Sequence, residues 1–193
     1  MAIQKKIAFE GNNYYLGNKD RLSAHLSETH LIGDRFKYIT AAGNQTYQNL
    51  EYGNWTILVN VAMADGNYIR LPEATTANGG MHIKVVIGIA AADDLYIGFV
   101  TSVIQGGATA IGDTNEANAP TDIASAIADT GDSFLSVHFN LDTVANAGGT
   151  GGTVLDFWYP GVANKIIYRG NLISEIDDPT LTGHFSTTAV NAF

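Results

Sequence analysis

Residues 65–89 read DGNYIRLPEATTANGGMHIKVVIGI, and the turn and strand signals in this stretch decide the expected fold class. The dipeptide at 65–66 predicts a turn. Residues 68–71 predict a short strand that Pro72 ends, because proline lacks the backbone N–H that strand pairing requires. A second turn at 78–80 leads into a longer apolar run, so the stretch predicts two strands joined by Gly-rich turns.

Short β-prone runs separated by Gly, Asn or Asp continue along the chain. They recur roughly every 8 to 15 residues, which is typical of an antiparallel sandwich or barrel rather than of alternating βαβ units. Val85 and Ile87 are expected to enter a core shared with Leu58 or nearby residues. The candidate strands are Phe36–Thr40, Asn54–Ala62, Tyr68–Leu71, His82–Ala90, Tyr96–Val103, Ser133–Asn140, Thr153–Tyr159 and Lys165–Gly170.

The predicted fold class is therefore all-β: an antiparallel β-sandwich or barrel, jelly-roll-like, with an extended N-terminal arm and at most one or two short helices. Residues 1–45 lack a sustained period of 2 or 3.6 and are predicted to form the arm. Residues 46–175 are predicted to form the body, and residues 176–193 a C-terminal tail.

Two helices are possible, one over Lys19–Leu31 and one in TDIASAIADT with Asp122 as its cap. Two Gly-rich segments, 105–120 and 143–153, are predicted to be loops, and loops of that length are usually functional or covered by a partner. The second helix would bury Ile123, Ala126 and Ile127.

The charge of the chain is unevenly distributed around a net value of −9. Residues 1–40 hold six Lys/Arg and four Asp/Glu, a balance of +2, whereas the remainder holds four and fifteen, a balance of −11. An acidic body repels phosphates, so no nucleic-acid partner is expected. The chain has no cysteine and no apolar run long enough to span a bilayer. The expectation is a soluble protein without a membrane partner.

The most enzyme-like triplet is Asp129-Thr130-Gly131, because such a loop can hold two carboxylates around a water molecule, one from each half of a dimer. The small residues before it and the additional carboxylate of Asp132 favour a turn. The five histidines lack a spacing that puts two on one face, and the acidic loops lack the pattern of a calcium loop. The sequence predicts no enzyme, no metal site and no cofactor.

Three consecutive aromatic residues, Phe157, Trp158 and Tyr159, stand in one candidate strand. Since successive side chains of a strand point to opposite faces, an aromatic ring points outward whichever face is buried. The group could serve simply as core packing that leaves one aromatic ring exposed. Alternatively, the outward ring could be a platform for a sugar or a contact with another subunit, and we favour the subunit contact.

Residues 53–100, GNWTILVNVAMADGNYIRLPEATTANGGMHIKVVIGIAAADDLYIGFV, and the later segment VLDFWYPGVANKIIYRGNLIS resemble small β-rich structural proteins of tailed bacteriophages. In these proteins a strand, a turn and an I-x-L-P element precede a glycine turn and another strand. The resemblance covers roughly residues 46–172 and supplies no catalytic residue.

The resemblance implies a virion structural protein, expected to be a capsid decoration or cement subunit on the exterior of the head, made in the host cytoplasm. Its implied partners are the major capsid protein and other copies of itself, as a homotrimer. A fibre-type receptor or glycan-binding module is the alternative. The residues expected to meet the capsid or a neighbouring subunit are Lys5, Lys6, Tyr14, Tyr15, Phe157, Trp158 and Tyr159.

Overall fold

A computed structural model gives the structure of most of the chain. The described ranges are 6–9, 12–15, 35–50, 53–64, 66–91, 94–112, 123–129, 131–139, 151–174, 181 and 183–190, without the side chains of 6–9, 12–15, 123, 124 and 174. The chain divides into two compact units, Met1–Asp34 and Arg35–Phe193. The first unit is shorter than the predicted arm, because residues 35–45 belong to the second.

The first unit contains an antiparallel pair of strands, β1 (Lys6–Phe9) and β2 (Asn12–Tyr15). Three of the arm residues expected to meet a partner lie in these strands, namely Lys6, Tyr14 and Tyr15. Lys5 and the helix predicted over Lys19–Leu31 lie outside the described residues.

The second unit contains two mixed sheets built from short strands. They are β3 (Arg35–Ile39), β4 (Gln45–Thr46), β5 (Asn54–Val59), β6 (Asn67–Arg70), β7 (His82–Ile87), β8 (Leu95–Gly98), β9 (Val103–Gly112), β10 (Ile123–Ala128), β11 (Ser136–Phe139), β12 (Val154–Trp158), β13 (Lys165–Ser174) and β14 (Phe185–Ser186). The seven-stranded sheet has the order β10-β9-β13-β12-β7-β5-β3, and the five-stranded sheet has the order β14-β11-β8-β6-β4.

Side chains from both sheets form one buried core, so the predicted all-β sandwich is confirmed. Ile57 and Val85 enter it from the seven-stranded sheet, and Ile69 and Ile97 enter it from the five-stranded sheet. The only helical turn in the described part of the chain is a 3-10 turn at Thr76–Asn78. No helix there is long and apolar enough to cross a membrane.

The strand pairing differs from the predicted antiparallel, jelly-roll-like arrangement. From β3 to β8 the chain alternates between the two sheets, so that β3, β5 and β7 are parallel neighbours in one sheet and β4, β6 and β8 in the other. β13 also pairs with β9 in parallel. Among the described strands of this unit, only the pairs formed by β10, β11 and β12 are antiparallel. From β3 to β8 the chain thus winds from one sheet to the other with each strand, instead of forming consecutive hairpins within one sheet.

Alternating burial explains why the central strands form as they do. In β5 and β7 every second side chain is buried, as the period of two in a strand requires. Val85 and Ile87 enter the core, which confirms their predicted orientation. Leu58 is half-buried on the opposite face, and its neighbour Ile57 takes the core position instead.

Two further predictions are wrong. The helix predicted after Asp122 is strand β10, and residues 105–112 of the predicted loop belong to β9. After Ile104 at its start, the buried side chains of β9 are only Ala108 and Ala110, on the same face. Side chains this small gave no visible alternation in the sequence, although the ladders to β10 and β13 supply the pairing.

Part of the predicted C-terminal tail belongs to the sandwich. β14 pairs antiparallel with β11, and Leu181, His184 and Val190 around it are buried. The predicted strand Tyr96–Val103 is divided between β8 and β9, which lie in different sheets.

The I-x-L-P element leads into an acidic residue that fixes the turn between those two strands. The Glu73 carboxylate accepts hydrogen bonds from the backbone N–H groups of Val100, Thr101 and Ser102 and from the hydroxyl groups of Thr101 and Ser102, at 2.7 to 3.2 Å. Burial raises the pKa of this carboxyl group, but the hydrogen bonds outweigh burial and the pKa is lowered overall. Glu73 therefore holds the turn as a carboxylate.

The residues around Glu73 join the same element to β12. The carbonyl of Pro72 accepts a hydrogen bond from the hydroxyl of Tyr159 at 2.9 Å, and the backbone N–H of Gly80 donates to the carbonyl of Tyr159 at 2.7 Å. Residues 72–80 thus connect three parts of the second unit, and the I-x-L-P element is a scaffold.

We expect Val85→Asp to abolish soluble folding, because an unpaired carboxylate in an apolar core costs several kcal/mol and a whole domain is stable by only about 5 to 15 kcal/mol. The matched control is Val86→Asp, since Val86 is the next residue of the same strand but points away from the core. Soluble yield and urea unfolding measure both variants. A cooperative transition in Val85→Asp would show that this face is not buried.

Candidate functional site

The structure separates the three aromatic residues that were expected to contact a partner. Phe157 and Tyr159 are buried in the core, whereas Trp158 is 36% exposed on the other face of the sheet. We call this face, the side of the seven-stranded sheet that points away from the core, the outer face. Of the three residues, only Trp158 is therefore accessible for the expected contact with a partner.

Strand register gives Trp158 its neighbours on the outer face. Trp158 stands opposite Ile167 of β13 on one side and opposite His82 of β7 on the other. Ile167 in turn stands opposite Gln105 of β9, and His82 stands opposite Asn54 of β5. Side chains from five strands thus lie in one row across the sheet.

The imidazole of His82 links Trp158 to the only acidic residue in the outer-face positions of β7, β12 and β13. The His82 ring stacks on the Trp158 indole with ring centroids 5.0 Å apart and planes 5° apart. Nε2 of His82 lies 2.8 Å from Oδ1 of Asp156, at hydrogen-bond distance. Two partners therefore fix His82, and one face of the indole is already covered.

A shallow apolar groove adjoins this row. It has a volume of about 510 Å³, and its walls include Ile127 and Ile167, while Gly106 and Gly107 of β9 lie between them. Ile127 is 76% exposed and Ile167 is 48% exposed. Gly106 has a φ of 142°, and a Cβ atom there would collide with the carbonyl oxygen of Tyr168, so this floor must lack side chains.

We call Ile127, Ile167 and Trp158 together the apolar strip. Removing apolar surface from water is favourable by about 25 cal/mol per Å² of buried area. A partner that covers the apolar strip would therefore form a more stable complex. Aromatic and aliphatic side chains on a flat sheet are typical of the centre of a protein interface. The arrangement is suited to docking another surface.

Basic residues surround the apolar strip. Lys165 and Arg169 lie on the same face of β13 as Ile167, since they alternate with its buried residues. Lys84 of β7 and Arg169 each stand opposite Asp156 in the neighbouring strands. The outer face therefore combines apolar and cationic side chains.

Sequence reasoning found only one of these residues, Trp158. Ile127 was assigned to a buried helix face, and Ile167 and Arg169 were part of a candidate strand without a role. The signal that was available is the alternation in YPGVANKIIYRGN, where Ile167 and Arg169 alternate with buried residues. Their neighbours could not be read from it, because the sheet order brings β9, β13, β12 and β7 together from distant parts of the chain.

The Asp129 region forms a turn, as the sequence favoured. The carboxylate of Asp132 accepts a hydrogen bond from the backbone N–H of Asp129 at 2.7 Å, and the backbone N–H of Asp132 donates to the carbonyl of Asp129. Capping of this kind is the ordinary role of Asp in turns. Among the residues with described placement, no three His, Cys, Asp or Glu side chains are grouped so as to hold a metal ion.

Tyr168 and His184 form a buried polar pair in the core between the two sheets. The hydroxyl of Tyr168 in β13 is 2.9 Å from Nε2 of His184, which precedes β14 in the opposite sheet. Burial raises the pKa of Tyr168 well above its ordinary value, so the hydroxyl keeps its proton and can donate it. Burial lowers the pKa of His184 from 6.5 to about 3. The pair is neutral at physiological pH and joins the two sheets.

We expect the free energy of unfolding to decrease as the pH is lowered from 6.5 towards 3, because the unfolded chain takes up a proton on His184 that the folded chain excludes. The contribution is fully present well above pH 6.5, and its loss between pH 6.5 and 4.5 amounts to about 2 kcal/mol. Urea unfolding at a fixed protein concentration measures it. Protonation of Glu73 would affect the free energy of unfolding only at lower pH, since the pKa of its carboxyl group is lowered from 4.5.

The variant His184→Gln separates this effect from other acid sensitivity, because Gln retains an acceptor for Tyr168 but does not titrate. It is expected to be less stable at pH 7 and to show a flatter profile between pH 6.5 and 4.5. Ile69→Val, which weakens the same core without removing a titratable group, is the control and should keep the wild-type slope. An unchanged slope in His184→Gln would contradict the assignment.

No protein-family model, curated protein or solved structure matches this chain. The function accordingly has to be inferred from the outer face, the division into two units and the resemblance noted for residues 46–172.

Proposed function

We propose that the chain is a non-enzymatic structural subunit of a tailed-bacteriophage virion, a decoration or cement protein that binds the assembled head shell. The resemblance of residues 46–172 to phage structural proteins suggests the virion. The observation that carries the assembly role is the apolar strip, which leaves Ile127, Ile167 and Trp158 exposed on a sheet face. Surfaces of this kind mark interaction sites in soluble proteins.

A decoration protein stabilises a shell by mass action. Because it binds only the assembled lattice, its binding free energy adds to the resistance of the shell to opening. Many weak contacts repeated over a symmetric lattice are sufficient, since each subunit held by a neighbour rebinds at high effective concentration. A large rigid sandwich with a separate arm is suited to this role.

The arm provides the contact with the shell in this proposal. Met1–Asp34 is a compact unit of its own, distinct from the sandwich unit Arg35–Phe193. Met1–Asp34 holds four Lys/Arg and four Asp/Glu, a balance of 0, whereas Arg35–Phe193 holds six and fifteen, a balance of −9. The arm is therefore the part of the chain that an acidic shell surface repels least.

We expect deletion of residues 1–34 to leave the sandwich folded but to reduce retention on phage heads, because Arg35–Phe193 is a compact unit by itself. Thermal unfolding measures the first effect. Co-sedimentation with heads that lack the protein, and the heat resistance of those heads after the protein is added back, measure the second.

The paired control is Tyr14→Ala with Tyr15→Ala in the full-length chain, which keeps the backbone of the arm and removes two rings expected to meet a partner. It should reduce retention to a smaller extent than the deletion. Full-length protein that neither binds heads nor raises their heat resistance would exclude the decoration role. A folded deletion variant with normal retention would place the shell contact in the sandwich.

Glycan binding is the second candidate, and the exposed Trp158 favours it because sugar rings stack on aromatic faces. The stack on His82 leaves only one indole face for a sugar, however. If this function is correct, Trp158→Ala should abolish binding to host polysaccharide while thermal unfolding stays unchanged. Phe36→Ala, which removes an exposed ring from β3, is the control. Absence of glycan binding by the wild type would exclude this candidate.

A further inference from the structure

The sandwich presents four sheet edges within the described residues, and three of them are protected against pairing with another chain. The edges of the five-stranded sheet, β14 and β4, contain only two residues each. One edge of the seven-stranded sheet, β3, carries Arg35 and Lys37. Very short edge strands and lysine side chains are common means by which proteins prevent edge-to-edge association.

The fourth edge, β10, has neither protection. Its sequence, IASAIA, contains no charged residue and no proline. All six of its residues pair with β9 on one side, and no strand of the described part of the chain pairs with it on the other side. Ser125 is exposed, and Ile127 is 76% exposed. The backbone N–H and C=O groups on the open side of β10 can therefore pair with a further strand.

The sequence of β10 identifies the strand that fits this edge. Residues 123–127 read IASAI, which is the same from either end. When two such strands pair antiparallel with Ser125 opposite its own counterpart, Ile stands opposite Ile and Ala opposite Ala. A two-fold interface requires this kind of self-complementarity, because the same residues of both copies meet there. The fitting partner is therefore the same strand of a second copy.

We propose that a second copy of this chain pairs with the open edge of β10, antiparallel and around a two-fold axis at Ser125. The axis is perpendicular to the sheet, so the outer faces stay on the same side and the two seven-stranded sheets become one. Position 123 of each copy stands opposite Ile127 of the other, so the exposed Ile127 of the apolar strip meets an apolar residue. The contact combines backbone hydrogen bonds with burial of apolar surface.

The other edge of the same sheet does not fit a second copy in this way. A two-fold pairing of β3 centred on its middle residue would place Lys37 opposite its own counterpart, and like charges directly opposite are destabilising. Head-to-tail pairing of β10 with β3 of the next copy would form rings or open chains instead of pairs. That arrangement makes no use of the matching halves of β10, so the sequence favours the two-fold contact.

The net charge of the chain opposes this association at long range. Each copy has a net charge of −9, so two copies repel each other as they approach. Salt at physiological concentration limits the range of this repulsion to about 8 Å, whereas the contact through β10 involves no charged residue of the strand. The dissociation constant should therefore decrease as salt is raised, which is opposite to the behaviour of a contact between unlike charges.

Covalent cross-linking tests the position of the axis, because the chain has no cysteine and Ser125→Cys supplies its only thiol. In the proposed pairing the two Cα atoms at position 125 are about 4.5 or 5.5 Å apart, within the range of a disulfide. Oxidised glutathione should therefore convert this variant into a covalent dimer, which electrophoresis without reductant detects. Thr109→Cys is the matched control. Thr109 is exposed on β9 opposite Ser125, so its two copies would be three strand spacings apart, about 14 Å, and should not cross-link.

Sedimentation velocity of the full-length protein over a range of concentrations measures the association itself. The wild type should form dimers. Ser125→Lys should raise the dissociation constant by about fivefold or more, because it places like charges opposite each other at the axis. Thr109→Lys adds the same charge one strand further from the axis and should associate like the wild type. Both positions are exposed, and thermal unfolding establishes that each variant is folded.

Three results would overturn the inference. The first is a wild type that is monomeric at all concentrations, and the second is a wild type that forms trimers, as the resemblance implies, without dimers. The third is the absence of a cross-link in Ser125→Cys together with unchanged association of Ser125→Lys, which would place the contact elsewhere. Pairing through β10 does not depend on the proposed role in a virion, since both experiments use the isolated protein.

Discussion

The carboxylate of Glu73 is the constraint on which the rest of the sandwich depends. Three consecutive backbone N–H groups, those of residues 100–102, donate to it at the place where the chain leaves β8 in one sheet and enters β9 in the other. Such a turn cannot use ladder hydrogen bonds, and an unpaired donor costs about 1 to 3 kcal/mol where it is buried, as at Ser102. One side chain satisfies all three donors and thereby permits the crossing.

The crossing matters because the sandwich is made by repeated changes of sheet. Between β3 and β8 each strand is followed by one in the opposite sheet, and neighbours in a sheet are separated by a complete turn of the chain. Asn54 and His82 are register partners, as are Asn67 and Leu95, and both pairs are 28 residues apart. The partners are 20 residues apart between β3 and β5 and 24 between β4 and β6. The winding therefore has no fixed sequence period, because it requires only alternating burial and suitable turns.

Much of the fold could be predicted from the sequence, since strands such as β5 and β7 carry large apolar residues at every second position. Among the strands that escaped prediction, β9 and β10 are rich in Ala and Gly, and their formation is decided by pairing with β13 and with each other. Prediction from the sequence is limited in the same way for the apolar strip and the residues around it. The sequence placed Trp158 in one aromatic group with Phe157 and Tyr159 and did not decide which ring points outward. Its association with His82, Ile167 and the surrounding cations depends on the order of strands in the sheet.

The order of strands also determines when each part of the sandwich can be completed during synthesis. The winding from β3 to β8 uses only contacts between successive turns of the chain, so it can form as these residues emerge. β9 must then wait for β13, its parallel partner, whose residue Lys165 pairs with Val103. β12 and β13 together fill the space between β7 and β9 in the seven-stranded sheet. Until they arrive, the edges of β7 and β9 are unpaired, and this late insertion is the step at which a nascent chain is most exposed to aggregation.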